Sequence, residues 1–118
     1  MNALFIGAVL GALGVAAGAF GAHGLKDRLT PETLGWWDTA SRYQLVHALA
    51  LLGTGLLARQ RGQPLALATQ LFLWGTLIFC GTLYAMALGG PRWLGAITPV
   101  GGAGLIAGWV CLACAARS

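Results

Sequence analysis

The chain has 118 residues, 58% of them hydrophobic and only 8% charged, with a formal net charge of +4 and a mean hydropathy of +0.76. A soluble domain carries about 25% charged residues, so this composition excludes a water-soluble globule and leaves the membrane as solvent. The basic residues Lys26, Arg28, Arg42, Arg59, Arg61, Arg92 and Arg117 flank the apolar runs and form no patch of the kind that binds nucleic acid.

Four apolar runs follow one another: Asn2–Ala22, Ala40–Ala58, Leu65–Leu88 and Thr98–Ala116. Each is close to the roughly 20 residues that cross about 30 Å of hydrocarbon. They predict a single-domain, all-α integral membrane protein, a four-transmembrane-helix bundle running up-down-up-down over residues 1–118. In the first run Gly7, Gly11, Gly14, Gly18 and Gly21 recur at alternating steps of four and three, which keeps them on one helix face. Each interior glycine costs about 1 kcal/mol against alanine in a water-exposed helix, whereas in lipid small residues let helix backbones approach. The stripe therefore reads as a packing seam. No Lys or Arg precedes the run, and it is long for a signal-peptide core, so it is expected to be a retained helix.

Gly24–Thr39 is the one substantial loop and holds every acidic residue, Asp27, Glu32 and Asp38. Thr30-Pro31-Glu32 has the form of a helix start. It predicts a short interfacial helix over Pro31–Asp38, with Trp36 and Trp37 at headgroup depth. The polar turn Arg59–Pro64 makes the second and third runs antiparallel neighbours, and Gly89-Gly90-Pro91-Arg92 ends the third. Thr98-Pro99 repeats the cap-plus-proline start. The last run carries Gly101, Gly104 and Gly108, and Gly11–Gly18 and Gly101–Gly108 share the pattern G-x-x-G-x-x-A-G. Helices 1 and 4 are accordingly expected to pack by similar glycine faces. Arg59, Arg61 and Arg117 on one side nearly balance Lys26, Arg28 and Arg92 on the other, which leaves the orientation open.

The few polar residues within or beside the runs are His23, Arg42, Tyr43, Gln44, His47, Tyr84 and Thr98. The expected topology gathers them at one end of the bundle. Tyr43, Gln44 and His47 share a helix face, with His47 about 12 Å into its helix by the helical rise. Such residues mark a functional site by default. The plainer reading is a staple, with His47 bonded to helix 1 or 3 and Arg42 snorkelling to the headgroups. A third reading, a metal site, needs one more ligand, for which Cys80 is the only candidate. Cys111-x-x-Cys114 sits at the opposite end with no second pair. There is no nucleophile–base arrangement, phosphate loop or paired carboxylate, so no catalytic residue, metal or cofactor is expected.

The stretches Gly18-Ala19-Phe20-Gly21-Ala22-His23-Gly24-Leu25, Tyr43-Gln44 with His47-Ala48-Leu49-Ala50, Phe79-Cys80-Gly81-Thr82-Leu83-Tyr84, and Thr98-Pro99-Val100-Gly101-Gly102 with Gly108-Trp109 resemble one pattern in order. It is that of the domain-of-unknown-function 423 family, small bacterial membrane proteins with a eukaryotic relative. Thr82 stands where many members have serine. The resemblance implies a four-span inner-membrane protein and supplies no reaction, substrate or catalytic residue. The expected role is a non-enzymatic accessory or assembly partner within the membrane. The alternative is a small-molecule or ion transporter or channel component using the His/Tyr/Gln layer. Membrane lipid and a homo-oligomer or larger membrane complex are the expected partners.

Overall fold

A computed structural model describes residues 2–117. Those residues form α1 (Ala3–His23), α2 (Pro31–Arg61), α3 (Ala66–Ala87), a short 3-10 helix (Arg92–Ala96) and α4 (Thr98–Arg117). The fold is all-α. Consecutive helices pack antiparallel, with α2 against both α1 and α3, and α4 packed mainly on α3. Ala3–His23, Ala66–Ala87 and the stretch Arg92–Arg117 are long and apolar enough to cross a membrane. The polar residues Arg42, Gln44 and His47 fall in α2, which lies outside that set.

The expected break between an interfacial helix and a second span is not there. Pro31–Arg61 is one helix of 31 residues, about 46 Å by the helical rise, and it runs nearly the full 48 Å length of the molecule. The start is as expected: Thr30 accepts the Thr33 amide at 3.1 Å, with Pro31 in the first turn. Nothing then stops the helix, because Asp38-Thr39-Ala40 contains neither proline nor glycine. Asp38 pairs with Arg42 one turn on, at 3.2 Å, across the place where the break was expected. The helix ends only at Gly62, whose φ of 68° lets the Gly62 and Gln63 amides turn back onto Arg59 and Ala58, the arrangement glycine favours at a helix C-terminus.

The five glycines of α1 lie against α2. A Cβ at Gly7 would stand 2.8 Å from the Ala48 carbonyl oxygen and 3.1 Å from the Leu52 nitrogen. At Gly14 it would meet Leu45 and Gln44, and at Gly21 the ring of Trp37. At Gly11 and Gly18 it would find only ordinary contacts, 3.8 Å to Ala48 and 3.7 Å to Ser41. The seam is thus tightest at every seventh residue, Gly7, Gly14 and Gly21, opposite Leu51, Gln44 and Trp37.

The glycines of α4 face α3. Gly101 lies on Phe79 and Gly75, Gly104 on Gly75, and Gly108 on the ring of Phe72. Helices 1 and 4 therefore use glycine faces of similar sequence on different neighbours. Between the two seams lies a core containing Leu10, Ala48, Leu51, Phe72 and Leu105.

The spacing sorts the glycines by cost. Gly7→Ala pushes a methyl into backbone atoms that cannot swing aside and is expected to destabilise by about 1–3 kcal/mol. Gly18→Ala should be nearly neutral. Reversible unfolding of both variants in lipid or mild detergent checks this, and equal losses would contradict the seam as described.

Candidate functional site

The anticipated polar layer divides into separate parts. Gln44 and His47 are three residues apart on α2, so their side chains leave the helix about 60° apart and reach different neighbours.

Gln44, which is buried, turns toward α1 and α3. Its Nε2 donates to the Leu10 carbonyl at 2.9 Å, and its Oε1 accepts from the Tyr84 hydroxyl at 2.7 Å. One side chain thereby joins three helices. Two turns earlier Trp37 does something similar: its Nε1 donates to the Ala17 carbonyl at 2.7 Å, and its ring stands edge-on to Tyr84 at 4.6 Å. Trp37 is buried between helices. In both cases the accepting carbonyl lies four residues before a glycine. A Cβ points toward the helix N-terminus and covers the preceding turn, so Gly14 and Gly21 uncover the carbonyls of Leu10 and Ala17.

His47, also buried, turns toward α3 and α4. Trp109 Nε1 lies 3.0 Å from His47 Nε2. An indole N–H can only donate, so Nε2 accepts, and Nδ1 carries the ring proton, which it donates to the Tyr43 carbonyl at 2.7 Å. Both ring nitrogens are committed and the imidazole is neutral. Phe72, 6.0 Å away, and Trp109 surround it, and Tyr43 stacks at 6.0 Å. The expectation that His47 bonds to helix 1 or 3 is corrected: its partner is on α4, with Phe72 of α3 supplying apolar cover.

The remaining members stand apart. Thr98 does not use its hydroxyl as the expected cap; it donates back to the Leu94 carbonyl at 3.1 Å and meets Thr82 at 2.6 Å, tying the 3-10 helix and α4 to α3. Arg42 is exposed and paired with Asp38. His23 is exposed in the last turn of α1, away from His47. Cys80 is buried beside Ala40 and Leu83, and among the described residues no three His, Cys, Asp or Glu side chains could share a metal ion. Cys80, Cys111 and Cys114 are free thiols.

A crevice of about 300 Å³ opens between α1 and α3. Its walls include Leu13, Leu77, Cys80 and the Gln44–Tyr84 pair, together with Thr76, whose buried hydroxyl has no partner. The residues missed in the sequence are Trp37, read as an interfacial aromatic, and Trp109, named only in the Gly108-Trp109 match to the family pattern. For Trp37 a signal existed in the seven-residue step from Trp37 to Gln44, which matches the step from Gly21 to Gly14. For Trp109 there was none in the spacing.

These features define a small helical membrane protein whose interior polar groups cross-link its helices. A sequence profile of the family described as "Protein of unknown function (DUF423)" matches residues 17–102, and the chain belongs to this family. A UPF0382 membrane protein of Staphylococcus epidermidis is 41% identical over 109 residues, covering 92% of this chain and 89% of that protein. A UPF0382 membrane protein of Haemophilus influenzae is 40% identical over 99 residues, covering 84% and 80%. The UPF0382 inner membrane protein YgdD of Escherichia coli K12 is 39% identical over 107 residues, covering 90% and 82%. No solved structure matches. The protein is an integral membrane protein of this family.

The His47–Trp109 bond predicts a measurable coupling. In a double-mutant cycle with His47→Ala and Trp109→Phe, the interaction energy should be roughly 0.6–1.7 kcal/mol, the range for such bonds in membranes. Unfolding in lipid or mild detergent measures it, and a value within error of zero would mean the bond does not form.

Proposed function

We propose that the protein is a four-span, non-enzymatic accessory or assembly partner of a larger membrane complex. The observation that carries this reading is the commitment of five interior polar side chains to bonds within the chain. Gln44, Tyr84, Trp37, His47 and Trp109 bond to side chains or carbonyls of their own chain. In particular, His47 retains no free ring nitrogen for proton transfer or ligation. Such a network holds four helices in a fixed arrangement. Large apolar side chains such as Val9, Leu13, Val15 and Phe20 on α1, and Val100, Ile106 and Val110 on α4, stand outward, as suits contact with lipid or another membrane helix.

The fourth span in this reading is α2. Its antiparallel position against α1 and α3, both apolar enough to cross, supports a parallel course through the bilayer, with Gln44 and His47 turned inward. Both ends of the chain then fall on one side.

The second reading, a small-molecule or ion transporter or channel component, has one support, the α1–α3 crevice beside Gln44 and Tyr84. The layer proposed to line a path is divided between two faces of α2, which favours the accessory role. Native mass spectrometry of the protein released gently from its own membranes tests it. A second polypeptide in fixed stoichiometry is expected; a bare monomer or homo-oligomer would overturn the accessory role.

A further inference from the structure

The opposite end of the bundle, away from the polar layer, holds a cavity of about 490 Å³ among the start of α1, the end of α2 and the first turn of α3. Three features of it point the same way. The first is charge. All three acidic side chains lie between positions 27 and 38, at the far end, where Asp38 pairs with Arg42 and Glu32 with Arg92. No acidic side chain accompanies Arg59, which lines the cavity. The second is the direction of the amides. Gln70 Oε1 accepts from Trp74 Nε1 at 2.7 Å, and Asn2 Oδ1 accepts the Phe5 amide at 3.2 Å. Each amide oxygen already holds one donor, and both amide nitrogens remain as donors. The third is the backbone: Leu65, which precedes α3, supplies no side-chain cap, so the first amides of the helix have no side-chain acceptor from it. A cationic, donor-rich cavity takes an anionic acceptor.

We propose that this cavity binds a phosphate group, held by Arg59 with the side-chain amides of Gln63 and Gln70. Guanidinium and amide donors suit the several acceptor oxygens of a phosphate. The cavity lies where the apolar stretches of α1 and α3 begin, which is the depth of lipid headgroups. Basic pockets between membrane helices at that depth hold anionic headgroups. The source at hand is therefore an anionic phospholipid; phosphate from solution has the same chemistry. This site does not depend on the accessory role.

The test reconstitutes the full chain into two kinds of vesicle and reads bound adducts by native mass spectrometry. One kind is phosphatidylcholine with a minor fraction of phosphatidylglycerol. The other is phosphatidylcholine alone with inorganic phosphate in the buffer. The expected result is selective retention of phosphatidylglycerol, about fivefold weaker in Arg59→Gln, reduced in Gln70→Leu and unchanged in Arg92→Gln at the other end. A phosphate adduct in the second vesicles that Arg59→Gln removes would assign the site to phosphate from solution. Retention no greater than that of phosphatidylcholine with no phosphate adduct, or selectivity equal in wild type and Arg59→Gln, would overturn the proposal. Arg59 and Gln70 are exposed, and unchanged helical circular dichroism confirms that the variants fold.

Discussion

The structure depends on how closely α1 approaches α2. Gly7 admits the Ala48 carbonyl and Gly21 admits the indole of Trp37 at distances that a methyl group would forbid. The approach has a second consequence. Removing the Cβ at positions 14 and 21 opens the carbonyls at 10 and 17, which already serve the helix ladder, to a further donor from α2. Gln44 and Trp37 occupy those two places. The seam thus combines dispersion contact and hydrogen bonding. Lipid supplies no hydrophobic drive to bring helices together, so these are the forces available.

Once α2 is fixed by that seam, the rest of its circumference is assigned. Gln44 reaches past α1 to Tyr84 on α3, and His47 faces α4, where Trp109 closes the ring. The α3–α4 pair is drawn together by its own glycines, Gly75 and Gly101, each against the backbone of the other helix. Gln44 thereby links the first seam to α3, and His47 links α2 across to the second. A polar group lost from either place would leave its partner unsatisfied in a medium without water, which costs more than the bond itself contributes.

Much of this was legible in the sequence. The apolar runs located α1, α3 and α4 to within a few residues, because twenty apolar residues in succession have few alternatives to a membrane helix. The glycine stripe showed which face of α1 is bare. It did not show which helix lies there, since a period describes a face and not its partner; hence the similar stripes of α1 and α4 meet different neighbours. The separate interfacial helix failed for a local reason: Trp36 and Trp37 suggested a change of environment, but no residue after Pro31 interrupts the backbone before Gly62. Tyr43, Gln44 and His47 were read as sharing one helix face, but Gln44 bonds to α1 and α3 and His47 to α4. Their azimuths, which send Gln44 and His47 to different helices, need the packing of α2. His47 and Trp109 are 62 residues apart in the chain, and only the folded bundle joins them.

The most direct test of the central claim is isotope-edited infrared spectroscopy of single labelled carbonyls in the reconstituted protein. A carbonyl that accepts two hydrogen bonds absorbs at lower frequency than one bonded only within its helix. Labels at Leu10 and Ala17 should absorb below a label at the outward-facing Ala16, and Gln44→Leu should return the Leu10 band alone to the Ala16 position. If all three labels absorb together in the wild type, α1 and α2 do not share these carbonyls in lipid, and the account of how the bundle is held would be contradicted.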